Sequence, residues 1–240
     1  MNNIYSYLHH HADIHWAIQA ALLGAVVLLI CGLQVRKRVA VDGGVLPDEG
    51  VTLRNVVEVI VEALADLGKT TMGEDHYRTY FPLVGSIFFF ILIANLMGLV
   101  PWVGGASSAM EFGAAIAIVS FSAYNLIGIK THGWKYIYQF MGPSIIEPTI
   151  GGQKWHVRLM APLFLPLELL LHAARILTLT VRLTANMFAD HTVVSLWIGL
   201  VPIAVPAVFL GLGLIVAFLQ AFVFALLTMI YIGSALEEAH

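Results

Sequence analysis

From Pro162 to Ile232 only four side chains are charged: Glu168, Arg175, Arg182 and Asp190. A stretch this long and this apolar leaves the chain few ways to fold. In hydrocarbon no water is at hand to satisfy main-chain N–H and C=O groups, so a spanning segment must bond internally, as a helix does. Pro202 and Pro206 divide the stretch into two long helices. A single span needs about 20 residues, because the hydrocarbon layer is about 30 Å thick and a helix rises about 1.5 Å per residue. The whole chain is 59% hydrophobic and 11% charged over 240 residues, whereas soluble domains carry about 25% charged residues. The sequence therefore describes one all-α integral membrane domain, residues 1–240, with room for about five transmembrane helices.

Apolar runs predict spans at 16–35 and, within 80–129, at 80–103 and 110–129, followed by the long pair over 162–232. Residues 52–72 differ. Leu53 to Leu64 mixes charges into apolar residues at helical spacing, which predicts an amphipathic helix on the membrane surface; the other reading is a segment packed against a partner domain. Residues 131–161, polar and rich in Gly, Pro and aromatics, read as a connecting loop.

Ten of the twelve basic residues fall in two segments, between the first and second spans and between the third and fourth. With alternating spans both segments lie on one side, and the positive-inside rule makes that side cytoplasmic. The N-terminus is then outside and the C-terminus inside. No cleavable leader is evident, since no lysine or arginine precedes the first apolar run. The single cysteine, Cys31, offers no disulfide or thiolate metal site, and the net charge of -3 gives no hint of nucleic-acid binding.

The two remaining basic residues, Arg175 and Arg182, lie inside the fourth span. A cation there costs roughly 2.5–3.5 kcal/mol on insertion scales. Glu168, Arg175 and Arg182 are spaced by seven and lie near one face of the helix over about 21 Å. Thr178, Arg182 and Asn186, spaced by four, form a ridge on nearly the same face. In the last helix Gln220 stands alone among apolar residues, placed to orient the guanidinium. Arginine does not release its proton at accessible pH, yet it attracts any carboxylate brought near it. A buried arginine is thus a fixed electrostatic device that promotes proton loss from a passing acid. Arginine does not recur every third residue, which argues against a voltage sensor, and no internal repeat favours an inverted-repeat transporter.

"RLTANMFADH", preceded by "PLELLLHAARILTLT" and followed by "LQAFVFALLTMIYI", resembles subunit a of F-type ATP synthases, and the likeness extends through "FPLVGSIFFFILIANLMGLVPW". The resemblance implies that the last two helices form a tilted hairpin against a ring of c subunits, each with a mid-membrane carboxylate. Arg182 would face those carboxylates between two half-channels. A b-subunit peripheral stalk, other synthase subunits and membrane lipid are the further implied partners. No cofactor, metal or catalytic residue is implied, because ATP chemistry belongs to other subunits. Thr178, Asn186 and Gln220 match polar positions near the arginine, and Glu168 matches an acid on the cytoplasmic side. Where the family pairs an acid with a histidine, this chain has His191 and Gly213, so Asp190 or Glu111 is expected to supply the acid. The rival reading is an ion-coupled secondary transporter in which Arg182 binds an anionic substrate.

Three other features read as structure. The histidines between His9 and His15 belong to a solvated tail, "NLMGLVPW" provides a small-residue packing face with a proline stop, and Trp16, Trp102, Trp155 and Trp197 mark span ends.

Overall fold

The computed structural model describes residues 16–41, 50, 52–100, 105–133, 149–150, 153–154, 161–200 and 204–236. Helices dominate: α1 (Trp16–Val41), α2 (Leu53–Met72), α3 (Glu74–Leu99), α4 (Met110–His132), α5 (Ala161–Leu200) and α6 (Ala204–Leu236), with a 3-10 turn at Ala106–Ser108. The remaining element is a four-residue antiparallel ladder, Thr149–Ile150 (β1) against Gln153–Lys154 (β2), within the segment read from sequence as a loop. Among the described residues four helices are long and apolar enough to cross a membrane, within α1, α3, α4 and α6. Helix α5 has 40 residues and is about 60 Å long.

Helix α3 begins at Glu74, six residues earlier than the apolar run suggests. Glu74 and Asp75 occupy its first turn, where the helix dipole favours negative charge. Helix α2 has a defined start and stop. The Thr52 hydroxyl accepts from the Asn55 N–H at 3.3 Å, and Gly73, at φ 82°, closes the last turn through its N–H to the Lys69 carbonyl.

Residues 53–72 are helical, as expected to within a residue, and one face of α2 packs within the chain against α3 and α6. Leu64, Gly68 and Met72, spaced by four, are buried. Gly233 makes this docking possible, because a Cβ there would lie 2.5 Å from the Thr71 carbonyl oxygen. The outer face keeps Glu62, Asp66 and Thr70 exposed. A hydrogen bond from Lys69 to Asp66 at 2.7 Å raises the ammonium pKa above its usual value, so this face stays charged.

The core lies between α3, α4 and α6. Val84, Phe88, Ile91 and Asn95 of α3 recur at three to four residues, as do Ala217, Ala221, Phe224, Thr228 and Ile232 of α6, and all are buried. Burial against lipid tails provides little drive in a bilayer, so close packing and hydrogen bonds between helices decide such contacts. The Ser120 and Thr228 hydroxyls meet at 3.0 Å between α4 and α6. The apolar residues Ile18, Leu22, Val26, Leu29 and Leu33 of α1 remain exposed, as a lipid-facing helix requires.

Candidate functional site

Helices α5 and α6 run antiparallel with a register fixed at two points. The Asn186 side-chain amide donates to Gln220 Oε1 at 3.1 Å. Eleven residues later on α5 and eleven earlier on α6, Trp197 stacks on Phe209 with ring centroids 6.2 Å apart. Equal steps in opposite directions are what two antiparallel helices of equal rise must give.

Arg182 lies near the middle of α5 and is half-buried. Its neighbours divide sharply. Thr180 and Leu183 are buried at 2% and 0%, while Leu177 and Val181 are exposed at 58% and 51%. Thr178, Ala185, Phe188 and Ala189 extend the same open face. Arg182 thus stands at the edge where the packed side of α5 gives way to the open side. Among the described residues it forms no ion pair and no hydrogen bond.

Four residues advance an α-helix by about 400°, so a ridge at that spacing winds round by about 40° per step. Thr178 lies on the open face, and its hydroxyl donates back to the Ala174 carbonyl at 2.7 Å. Arg182 is at the edge. Asn186, one step further, reaches inward to Gln220, which is 5% exposed. The sequence places Gln220 beside the guanidinium; in the structure its Oε1 serves Asn186, one turn beyond Arg182. Among the described residues the arginine head group therefore has no partner, while the helix behind it is tied down.

Gly113 of α4 is the contact point on the packed side. A Cβ there would lie 3.2 Å from the Thr180 carbonyl oxygen and 3.4 Å from Thr184 Oγ1, so glycine lets α4 approach the turn that carries Arg182 more closely than a larger residue could without shifting a neighbour. Thr184 Oγ1 is buried without a partner among the described residues. Glu111, two residues before Gly113, is exposed. Two residues are about 200° of helix, so Glu111 faces away from α5 and is not brought to Arg182. Glu168, Arg175, Asp190 and His191 lie along α5, and their side chains fall outside the described residues. Gly213 is buried on α6, two turns before Gln220. His9 to His15, Trp102 and Trp155 also lie outside the described residues. Among the described residues no cluster of His, Cys, Asp and Glu could hold a metal ion.

One polar residue of the segment read from sequence as a packing face also bonds across helices. Asn95, within "NLMGLVPW", is fully buried and donates to the Ala217 carbonyl of α6 at 3.2 Å. Its signal was present: a lone amide in an otherwise apolar run.

The family model for the ATP synthase A chain matches residues 16–233. The chain is 37% identical over 230 residues to ATP synthase subunit a 1 of Syntrophotalea carbinolica, covering 96% of this chain and 87% of that protein. It is 42% identical over 188 residues to ATP synthase subunit a 1 of Pelobacter propionicus, covering 78% and 76%. It is 35% identical over 230 residues to ATP synthase subunit a of Bdellovibrio bacteriovorus, covering 94% of each chain. A half-buried arginine on a long helix, an amide bridge behind it, and relatives matched along nearly the whole length agree: the chain belongs to the ATP synthase A chain family.

Proposed function

We propose that this chain is the proton-conducting stator subunit of a rotary F-type ATP synthase, and that Arg182 faces the carboxylates of the c ring and couples proton passage to ring rotation. The observation that carries the reading is the half-buried guanidinium at the edge of an open apolar face, without an ion pair among the described residues. Desolvating a charge is costly unless a counter-charge arrives. Carboxylates passing on a neighbouring ring supply that counter-charge in turn.

A carboxylate that comes opposite Arg182 is held ionised, because the fixed positive charge favours the charged form. Once past it, the group takes up a proton from one half-channel and crosses the lipid neutral, since a charged acid there would be expensive. It releases the proton into the other half-channel before meeting Arg182 again. Arg182 keeps its own proton throughout and blocks direct passage between the two paths. Asn186 and Gln220 brace its helix, and Thr178 lines the open face beside it. Glu168 serves the cytoplasmic half-channel. Asp190 and His191 serve the outer one, with Glu111 at its mouth as the weaker candidate because it faces away from α5.

The chain itself carries no ATP chemistry. It sits in the bacterial inner membrane with its N-terminus outside, its C-terminus cytoplasmic and α2 along the cytoplasmic surface, where a b-subunit stalk holds it against the turning ring. Replacing Arg182 by alanine tests the reading: proton-driven ATP synthesis in membrane vesicles should be lost while the chain still inserts and assembles. Synthesis at the normal rate in that variant would refute the role.

A further inference from the structure

Asn95 lies on α3, outside the hairpin that carries Arg182, and is 0% exposed. Its Nδ2 donates to the Ala217 carbonyl at 3.2 Å, while its Oδ1 finds no partner among the described residues. A half-satisfied buried amide is a poor choice for packing alone, since an apolar side chain of similar size carries no such cost. What the amide achieves is a grip on the main chain of α6.

That grip falls where α6 needs one. The C-terminal half of α6 is fastened by the contact of Gly233 with Thr71 and by the hydroxyl pair of Ser120 and Thr228. In the N-terminal half Val208, Leu212, Leu214, Ile215, Phe218 and Leu219 are exposed. Ala217 sits at this junction, three residues before Gln220.

We infer that Asn95 is a positioning residue for Arg182: by holding the Ala217 carbonyl it sets the height and rotation of α6, so that Gln220 meets Asn186 and steadies the turn bearing the arginine. The inference rests on the role proposed for Arg182 and adds α3 to the site. The linkage runs from Asn95 through the α6 main chain to Gln220, then to Asn186 and the α5 helix.

Two measurements on the assembled synthase in membranes test it. In a Cys31→Ser background carrying Asn186→Cys and Gln220→Cys, a short bifunctional thiol reagent reads the register of α5 and α6 directly. Adding Asn95→Leu, or separately Asn95→Ala, should cut the cross-linked fraction several-fold. With Asn186 and Gln220 intact, Asn95→Leu should lower ATP-driven proton pumping on the order of tenfold, as loss of alignment at a reacting centre does, while the amount of assembled chain stays unchanged. Combined with Gln220→Leu it should add little further loss, because both changes cut one linkage. An unchanged cross-linked fraction overturns the inference. So does a fall in assembled chain in both variants with normal cross-linking per assembled chain, which would make Asn95 a packing residue. Neither result bears on Arg182→Ala, so failure of this inference is distinguishable from failure of the proposed function.

Discussion

The chain buries two arginines in opposite ways. Arg54, in the first turn of α2, is 1% exposed, and its Nε donates to Glu58 Oε1 at 2.8 Å. Arg182, at the middle of α5, is half-buried at the border of an open apolar face and has no acidic partner among the described residues. Both guanidinium groups have given up bulk water, Arg54 almost wholly and Arg182 in part, and each incurs a desolvation cost in proportion. At Arg54 the partner lies one turn along the same helix, so the charge is spent on fixing structure. At Arg182 no partner stands among the described residues, and in the function proposed above the counter-charge comes from another chain. On that proposal, what distinguishes a functional buried cation from a structural one is where its partner resides.

Lysine at each position sharpens the contrast. Arg182→Lys keeps a positive charge but loses the planar fork and gains a proton that can dissociate. Synthesis driven by a proton gradient should fall by about a hundredfold or more, the scale of misplaced reacting groups. Arg54→Lys should leave the synthesis rate per assembled complex near normal. Equal losses at the two sites would erase the distinction.

Packing changes should show the reverse pattern, with stability affected more than coupling. Gly233→Ala drives a Cβ toward the Thr71 carbonyl oxygen, and such overpacking costs about 1–3 kcal/mol. Unfolding in detergent should report that loss together with looser docking of α2, whereas an unaltered unfolding midpoint would mean the two helices separate freely. The smallest effect is expected at Ser120→Ala. Thr228 also donates to the Phe224 carbonyl at 2.9 Å, so the variant removes one interhelical bond, worth about 0.6 kcal/mol in membrane proteins. A loss several times larger would show that this pair does more than join α4 to α6.

The parts of this structure written in residue type were legible from the sequence. The ridge of Thr178, Arg182 and Asn186 follows from spacing by four, and Gln220 announces itself as a lone amide in an apolar helix. The amphipathic pattern of 52–72 gives α2 within a residue, Leu53–Met72. Its docking was hidden, because it depends on how closely Gly233 lets two main chains approach. The hydrogen bond of Asn95 was hidden for a related reason: its partner is the carbonyl of Ala217, and every residue has a carbonyl. Glu111 was a reasonable candidate by position. Whether it faces α5 depends on the rotation of α4, which the contact at Gly113 sets. The ladder of Thr149–Ile150 and Gln153–Lys154 is too short for any alternation to reveal.

The central claim is that the open face beside Arg182 meets a moving ring of carboxylates. A Cys31→Ser synthase carrying Ala185→Cys, on that face, together with a cysteine next to the ring carboxylate, tests it by disulfide formation in membranes. The account predicts a cross-link from position 185 and none from Leu183→Cys, which is 0% exposed on the packed side. Failure to cross-link at 185, or an equal yield at 183, would contradict it.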